Sequence, residues 1–131
     1  MLVRVFYVSE IAEDITDIDV QVILGAAQIN NRRLDVTGML VQSDCHFIQL
    51  LEGREEALAV LMAKIERDRR HRNVRVLLHE PIGRRQFSAW AMHLRRRDDI
   101  QDETVRLHAE GCATKAEARR LIGVLLEREK R

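Results

Sequence analysis

The chain has 131 residues, of which 46% are hydrophobic and 33% are charged, a composition typical of one globular domain with a buried core. The 22 Lys and Arg residues nearly balance 21 Asp and Glu residues, and no apolar run approaches the roughly 20 residues of a membrane-spanning helix. We therefore expect neither nucleic acid nor a membrane as a partner. Cys45 and Cys112 lack metal-ligand spacing, which favours a reducing, cytoplasmic compartment.

The first predicted elements are a strand over 2–9 and a helix that follows Thr16. Both faces of the strand are apolar, and Tyr7 lies on one of them, so the strand is predicted to be central in a sheet. Thr16 and Asp19 have the spacing of a helix N-cap and its capping box. The inner apolar stripe of the helix, extended by one turn, reaches Asn31. The helix should therefore end with an amide on its buried face.

The next segment predicts a hairpin with strands near 35–42 and 46–52. Alternation places Phe47, Gln49 and Leu51 on one face of the second strand, so Gln49 should be buried between two apolar side chains. An unpartnered buried amide costs about 1–3 kcal/mol, and Gln49 therefore requires a partner or a function.

The remaining pattern predicts a helix over 54–68, strands over 74–78 and 87–94, and a helical tail. The order βαββαββ indicates an α+β, ferredoxin-like sheet with two helices on one face. In the tail, "TKAE" (114–117) has capping-box spacing and precedes an apolar stripe. We expect this stripe to form a helical cap on the back of the sheet or, as a second choice, to contact a partner chain.

The polar residues on these elements should converge. Tyr7 and Gln49 lie on strands that are neighbours in this fold, Asn31 ends the first helix, and Trp90 and Met92 lie on the last strand. Such a site suits a planar ligand with hydrogen-bonding edges. Each residue also has a purely structural interpretation: Tyr7 as core with a satisfied hydroxyl, Asn31 as a helix C-cap, and Gln49 as a partner of neighbouring backbone.

Five segments together resemble the BLUF domain, a blue-light sensor that uses flavin. They are "YVS" (7–9), "NNRRLDVTGML" (30–40), "FIQLLEG" (47–53), "IERDRRHRNV" (65–74) and "EPIGRRQFSAWAM" (80–92). The resemblance implies a photosensor domain over 1–95 and a helical extension over 96–131, as in the short members of the family. It also implies noncovalent FAD, with FMN or riboflavin as alternatives, and a downstream protein partner. The apolar stripe of the helical tail, as a surface that can pass on the signal, predicts a homo-oligomer such as a dimer.

Carried over residue by residue, Tyr7 resembles the photoactive tyrosine of the family, and Gln49 resembles its switching glutamine. Trp90 and Met92 resemble the pair that moves with the signal. The flavin-contacting positions that the resemblance implies are Tyr7, Ile23, Asn30, Asn31, Leu40, Phe47, Gln49, Asp68, Arg70 and His71. Ala27 occupies a position where some relatives have a ring-contacting hydroxyl, so that contact should be absent here.

The resemblance implies that excited flavin takes an electron and a proton from Tyr7, and that Gln49 then rotates or tautomerises and binds the flavin C4 carbonyl more strongly. Two other classes of function remain open at this point. One is an acylphosphatase-type enzyme using Asn31 and Arg70, although "SEIAEDIT" has no glycine for a phosphate loop. The other is a binding module without photochemistry.

Overall fold

The computed structural model describes residues 1–43, 45–87, 91–96, 98–112 and 114–129, with the backbone alone described at 91–96, 98 and 126–129. The elements are β1 (Leu2–Ile11), α1 (Asp17–Leu34), β2 (Thr37–Ser43), β3 (His46–Arg54), α2 (Glu55–Arg67), β4 (His71–Pro81), β5 (Ala91–Arg96), a 3-10 turn (Asp98–Ile100), α3 (Gln101–Glu110) and α4 (Lys115–Glu129). The predicted α+β class and element order are confirmed. No helix in the described part of the chain combines the length and apolar character needed to cross a membrane.

The five strands form one sheet in the order β4-β1-β3-β2-β5. Strand β1 is central, as its two apolar faces predicted, and it pairs antiparallel with both β3 and β4. Strand β5 pairs in parallel with β2 at one edge. Tyr7 on β1 lies directly opposite Gln49 on β3, so the predicted neighbourhood of these two residues is confirmed.

Helix α1 begins as its sequence predicts. Thr16 is the N-cap, its hydroxyl accepts from the Asp19 N–H at 3.2 Å, and the Asp19 carboxylate accepts from the Thr16 N–H at 2.9 Å. Its end differs from the prediction, because the helix continues past Asn31 to Leu34 and is capped by Asp35 in the left-handed conformation, φ 55°. The interpretation of Asn31 as the C-cap is therefore wrong.

The two faces of the sheet carry separate apolar clusters. Helices α1 and α2 cover one face, which we call the helix face, and α3 and α4 cover the other, the back face. The apolar stripe of α4 is buried on the back face, which was the first of the two predicted locations. Its members are Ala118, Leu121, Ile122 and Leu125. The stripe is therefore occupied by contacts within one chain.

Several strand boundaries lie outside the predicted ranges. β4 extends to residues 71–81 because it pairs along most of β1, and β3 continues through Gly53, where a turn was expected. β5 is described from Ala91, and residues 88–90 of the strand predicted over 87–94 lie outside the described residues. The limits of β3 and β4 are set by pairing with β1, a strand distant in the chain, and local sequence patterns carry no information about such pairing.

Candidate functional site

The Tyr7 hydroxyl donates a hydrogen bond to Oε1 of Gln49 on the helix face. Both side chains are buried, with exposed fractions of 0% and 5%. The predicted burial of Gln49 between Phe47 and Leu51 is confirmed, because both neighbours belong to the core of the same face. A phenol and an amide thus form a polar pair within an otherwise apolar layer.

The surroundings of Tyr7 keep its phenol protonated. Burial raises the pKa of Tyr7 far above its usual range, and the Asp68 carboxylate adds to that increase. At neutral pH the phenol therefore acts as a hydrogen-bond donor, and its proton faces Gln49.

Asn31 presents a buried amide at the end of the inner stripe of α1. Its side chain is 2% exposed, and neither Nδ2 nor Oδ1 has a hydrogen-bond partner among the described residues. Burying such an amide without partners costs about 1–3 kcal/mol, and unsatisfied groups of this kind are rare in native proteins. A ligand with both a donor and an acceptor on one edge would satisfy it.

A cleft between α1 and α2 brings the predicted residues together. Eight of the ten predicted contact residues line it: Ile23, Asn30, Asn31, Leu40, Gln49, Asp68, Arg70 and His71. Tyr7 lies behind Gln49, and Phe47 lies beneath His71, with ring centroids 5.2 Å apart. Further lining residues are Ala26, Ala27, Leu61, Lys64 and Ile65. Of these, Ala26 and Lys64 carried no signal in the sequence.

Charged groups lie at one end of the cleft. Arg70 forms a two-pronged ion pair with Asp68, with Nε to Oδ1 at 2.9 Å and Nη2 to Oδ2 at 2.8 Å. This contact lowers the pKa of Asp68, so the carboxylate stays ionised. His71 is held by the Ser9 hydroxyl at 3.2 Å from Nδ1, and burial lowers the pKa of its imidazole. Arg70 is thus paired with Asp68, which does not favour the acylphosphatase-type arrangement with Asn31.

The predicted signalling pair can be placed only in part. Trp90 lies outside the described residues. The backbone of Met92 lies in β5, opposite Gly38 of β2. The segment before it is held by Glu52, which the sequence analysis did not single out. Oε1 of Glu52 accepts from the Gln86 N–H at 2.8 Å and from the Phe87 N–H at 3.1 Å.

A family model described as BLUF, sensors of blue-light using FAD, matches residues 2–93. The chain belongs to the BLUF family. As a BLUF domain it is a blue-light sensor that uses FAD, and the predictions of a sensor in preference to an enzyme, and of flavin as cofactor, are confirmed by this match. The apolar walls of the cleft and the unsatisfied Asn31 amide fit a flavin ring, which is apolar on its faces and polar on its edges.

Named relatives agree with this BLUF assignment. The chain is 34% identical over 105 residues to the blue light- and temperature-regulated antirepressor BluF of Escherichia coli (strain K12), covering 76% of this chain and 26% of that protein. It is 39% identical over 74 residues to photoactivated adenylate cyclase subunit beta of Euglena gracilis, covering 56% and 9%. The dark-state structure of the BLUF protein BlrB superimposes with a TM-score of 0.74 at 29% identity, covering 94% and 96%. The chain thus spans about a quarter or less of these two curated relatives.

Proposed function

We propose that light is detected where FAD would lie between α1 and α2, with Tyr7 and Gln49 as the responding side chains. The observation that carries this proposal is the hydrogen bond from the buried Tyr7 hydroxyl to Gln49, at the base of a cleft that also contains the unsatisfied amide of Asn31. Tyr7 and Gln49 can exchange the roles of hydrogen-bond donor and acceptor, and the Asn31 amide can hold the edge of a ring.

Each lining residue has a role in this proposal. The amides of Asn31 and Asn30 would hold the polar edge of the flavin ring, and Ile23 and Leu40 would pack on its faces. At the charged end of the cleft, Arg70 and His71 suit the ribityl-phosphate part of FAD. Arg70 is positioned there by its ion pair with Asp68.

When bound, FAD supplies absorption of blue light and a transient acceptor for an electron and a proton. Tyr7 can supply both, because its phenol is protonated and buried. Gln49 can respond, because rotation of its amide by 180° exchanges Oε1 for Nε2 opposite Tyr7. The phenol can donate to Oε1 or accept from Nε2, so the pair can be hydrogen-bonded in two arrangements. Two such arrangements are what a switch requires.

The signal is proposed to leave through the back face towards α4. Charged contacts connect the segment before β5 with α4 at this face. Glu52 holds the 86–87 backbone, Arg4 lies 3.7 Å from Glu52 and 3.8 Å from Glu80, and Glu80 accepts from Arg119 on α4 at 2.6 Å. A movement of the segment that leads to β5 therefore has a path to α4.

The proposal also covers the domain division of the chain, its partners and its cellular compartment. We propose a photosensor unit over 1–95, a helical extension over 96–131 that passes the signal to a protein partner, a dimeric state, and a cytoplasmic location. Names of relatives that combine light regulation with an antirepressor or an adenylate cyclase support output through protein contacts.

The test is a light-minus-dark absorption spectrum of the purified, FAD-loaded protein. Wild type should show a small reversible red shift, while Gln49→Leu and Tyr7→Phe should retain FAD and lose the shift. Gln42→Leu is the matched control, because Gln42 is a buried amide on β2 opposite Phe47 and away from Tyr7. A normal shift in Gln49→Leu or Tyr7→Phe, or a colourless protein that does not take up added FAD, would refute the proposal.

A further inference from the structure

The outer face of α1 exposes an apolar row that the BLUF assignment does not explain. Ile18, Val22 and Ile29 are 76%, 58% and 60% exposed. With Gly25 they follow the spacing i, i+4, i+7, i+11, which at 100° per residue places all four within an arc of about 60°. This row, which we call the α1 seam, lies opposite the stripe of α1 that is buried on the sheet.

The α1 seam resembles a contact surface between helices. Apolar residues that alternate three and four positions apart are the pattern by which two helices pack along a common line. Gly25 has no side chain and leaves a low point, that is, a recess in the helix surface at the middle of the α1 seam. An added Cβ there would meet no heavy atom within 4 Å. A second helix can therefore approach closely at that position. The apolar stripe of α4 is already buried on the back face and is not available for such a contact.

Charges at the two ends of α1 indicate which helix fits. Asp14, two residues before the N-cap, and Asp17 in the first turn lie exposed, and Arg32 and Arg33 lie exposed in the last turn. An antiparallel copy of α1 places the acidic end of each helix opposite the basic end of the other, and it also aligns the helix dipoles favourably. A parallel copy would bring like charges together.

We propose that the α1 seam is a self-association surface on which a second copy of this chain docks with its own α1 antiparallel. In this arrangement Ile18 of each copy packs beside Ile29 of the other, and Val22 of each packs over Gly25 of the other. A two-fold axis then passes between positions 22 and 25, and the contact closes as a dimer. The proposal rests on the dimeric state proposed above and does not depend on the proposed light response, which the absorption spectrum tests separately.

The dimer would connect two cofactor sites. The inner side of α1 carries Asn31 and Asn30, which line the cleft, and the outer side carries the α1 seam. A rotation of α1 in one copy would therefore shift α1 of the other copy and, with it, the side chains that line the cleft of that copy. Because one helix pair is at the small end of specific interfaces, association should be concentration-dependent, with a Kd of roughly 1 μM to 1 mM.

The first experiment measures molar mass by sedimentation of the FAD-loaded full chain across that concentration range. Wild type should pass from monomer to dimer, and Val22→Glu should remain monomeric with an unchanged circular dichroism spectrum. Val60→Glu is the matched control, because Val60 is 48% exposed on the outer side of α2, and it should dimerise as wild type does. A wild type that is monomeric at every concentration, or a dimer that survives Val22→Glu, would overturn the proposal.

A second variant separates association from folding. Gly25→Leu should raise the melting temperature of the monomer, because leucine is a better helix former than glycine and its Cβ has free space here. The same substitution fills the low point of the α1 seam and should abolish the dimer. Unchanged dimerisation in this variant would show that the contact lies elsewhere.

A third experiment tests the antiparallel direction by charge exchange. Asp14→Lys/Asp17→Lys gives α1 two basic ends, and Arg32→Glu/Arg33→Glu gives it two acidic ends. Each double variant alone should be monomeric, and an equimolar mixture should form a heterodimer with the mass of the wild-type dimer. Dimerisation of either variant alone to the wild-type extent, or failure of the mixture to associate, would contradict the proposed arrangement.

Discussion

The helix face and the back face of the sheet bury polar side chains for different purposes. On the helix face, Tyr7 and Gln49 are bonded to each other, and Asn31 has no partner among the described residues. On the back face, Glu52 and Glu80 are held by backbone N–H groups and by arginines. The helix face thus leaves the whole Asn31 amide available to a ligand, whereas the carboxylates of the back face connect elements of the fold, although Glu52 Oε2 and Arg4 Nε have no hydrogen-bond partner among the described residues.

This difference determines what a substitution should disturb. Tyr7, Gln49 and Asn31 on the helix face should affect FAD binding or the light response more than the stability of the chain without FAD. A charged residue on the back face should affect stability and output, with little effect on the absorption spectrum. The following predictions test whether the two faces separate in this way.

The largest effect on stability is expected at Glu52, whose side chain is fully buried. Glu52→Ala leaves the N–H groups of Gln86 and Phe87 without their acceptor and removes one of the two carboxylates near the partly buried Arg4, which should lower the free energy of unfolding by about 3–5 kcal/mol. Urea unfolding measures this. A loss below about 1 kcal/mol would show that the back-face contacts contribute little.

The milder variant Glu52→Gln tests whether the charge of Glu52 is needed to pass the signal to α4. It keeps one acceptor oxygen for the N–H groups and removes the charge that faces Arg4. We expect the light-induced absorption shift to be retained, and the light-induced change in hydrogen exchange over 115–125 to be reduced. Equal exchange in light and dark in the wild type, over both 91–96 and 115–125, would show that the signal leaves by another route.

A smaller effect is expected for Asn31→Ala on the helix face. The variant should weaken FAD binding by about 1–3 kcal/mol, or roughly 5- to 150-fold in Kd, because a buried polar ring edge loses its hydrogen bonds. The stability of the chain without FAD should not fall, since the amide has no partner to lose among the described residues. Flavin titrations of Asn31→Ala and of Asn30→Ala measure how much each amide contributes to FAD binding. Unchanged affinity in the former would move the holding role to Asn30 or to backbone groups.

The smallest effect is a pH dependence caused by His71. Burial lowers the pKa of His71 below its ordinary 6.5, so below about pH 6.5 the unfolded chain binds a proton that the folded chain does not. Stability should therefore decrease as the pH falls from about 6.5 towards the folded-state pKa, and should be unaffected by this group above that range. Melting temperatures of His71→Gln should decrease less over the acidic range than those of the wild type. His79→Gln, at an exposed position of the same strand, is the control and should keep the wild-type slope.

The sequence predicted those parts of the fold and site that depend on local periodicity. Alternation along β1 and β3 placed Tyr7 and Gln49 on one face, and the spacing of Thr16 and Asp19 located the start of α1. Extending the stripe of α1 found the buried Asn31. These features need only the geometry of one helix or one strand, together with the strand order of the fold.

Features that depend on contacts between distant segments were not found. Glu52 stood at the predicted end of a strand, and its bonds to residues 86 and 87 come from a loop more distant in the chain. A carboxylate on the same side of β3 as Ile48 and Leu50 was a signal that could have indicated a buried charge. Lys64 reaches the cleft through the packing of α2 beside α1, which helix periodicity alone does not specify.

The parallel edge pairing of β5 with β2 has a consequence for the order of folding. Thr37 pairs with Ala91, and the chain between them includes β3, α2 and β4, so this ladder closes a long loop. The β2–β3 hairpin closes a short one. Because the entropy of loop closure must be overcome before distant contacts form, β5 is expected to join the sheet after the hairpin. The segment that the BLUF resemblance associates with signalling would then join the sheet only after the hairpin that carries Gln49.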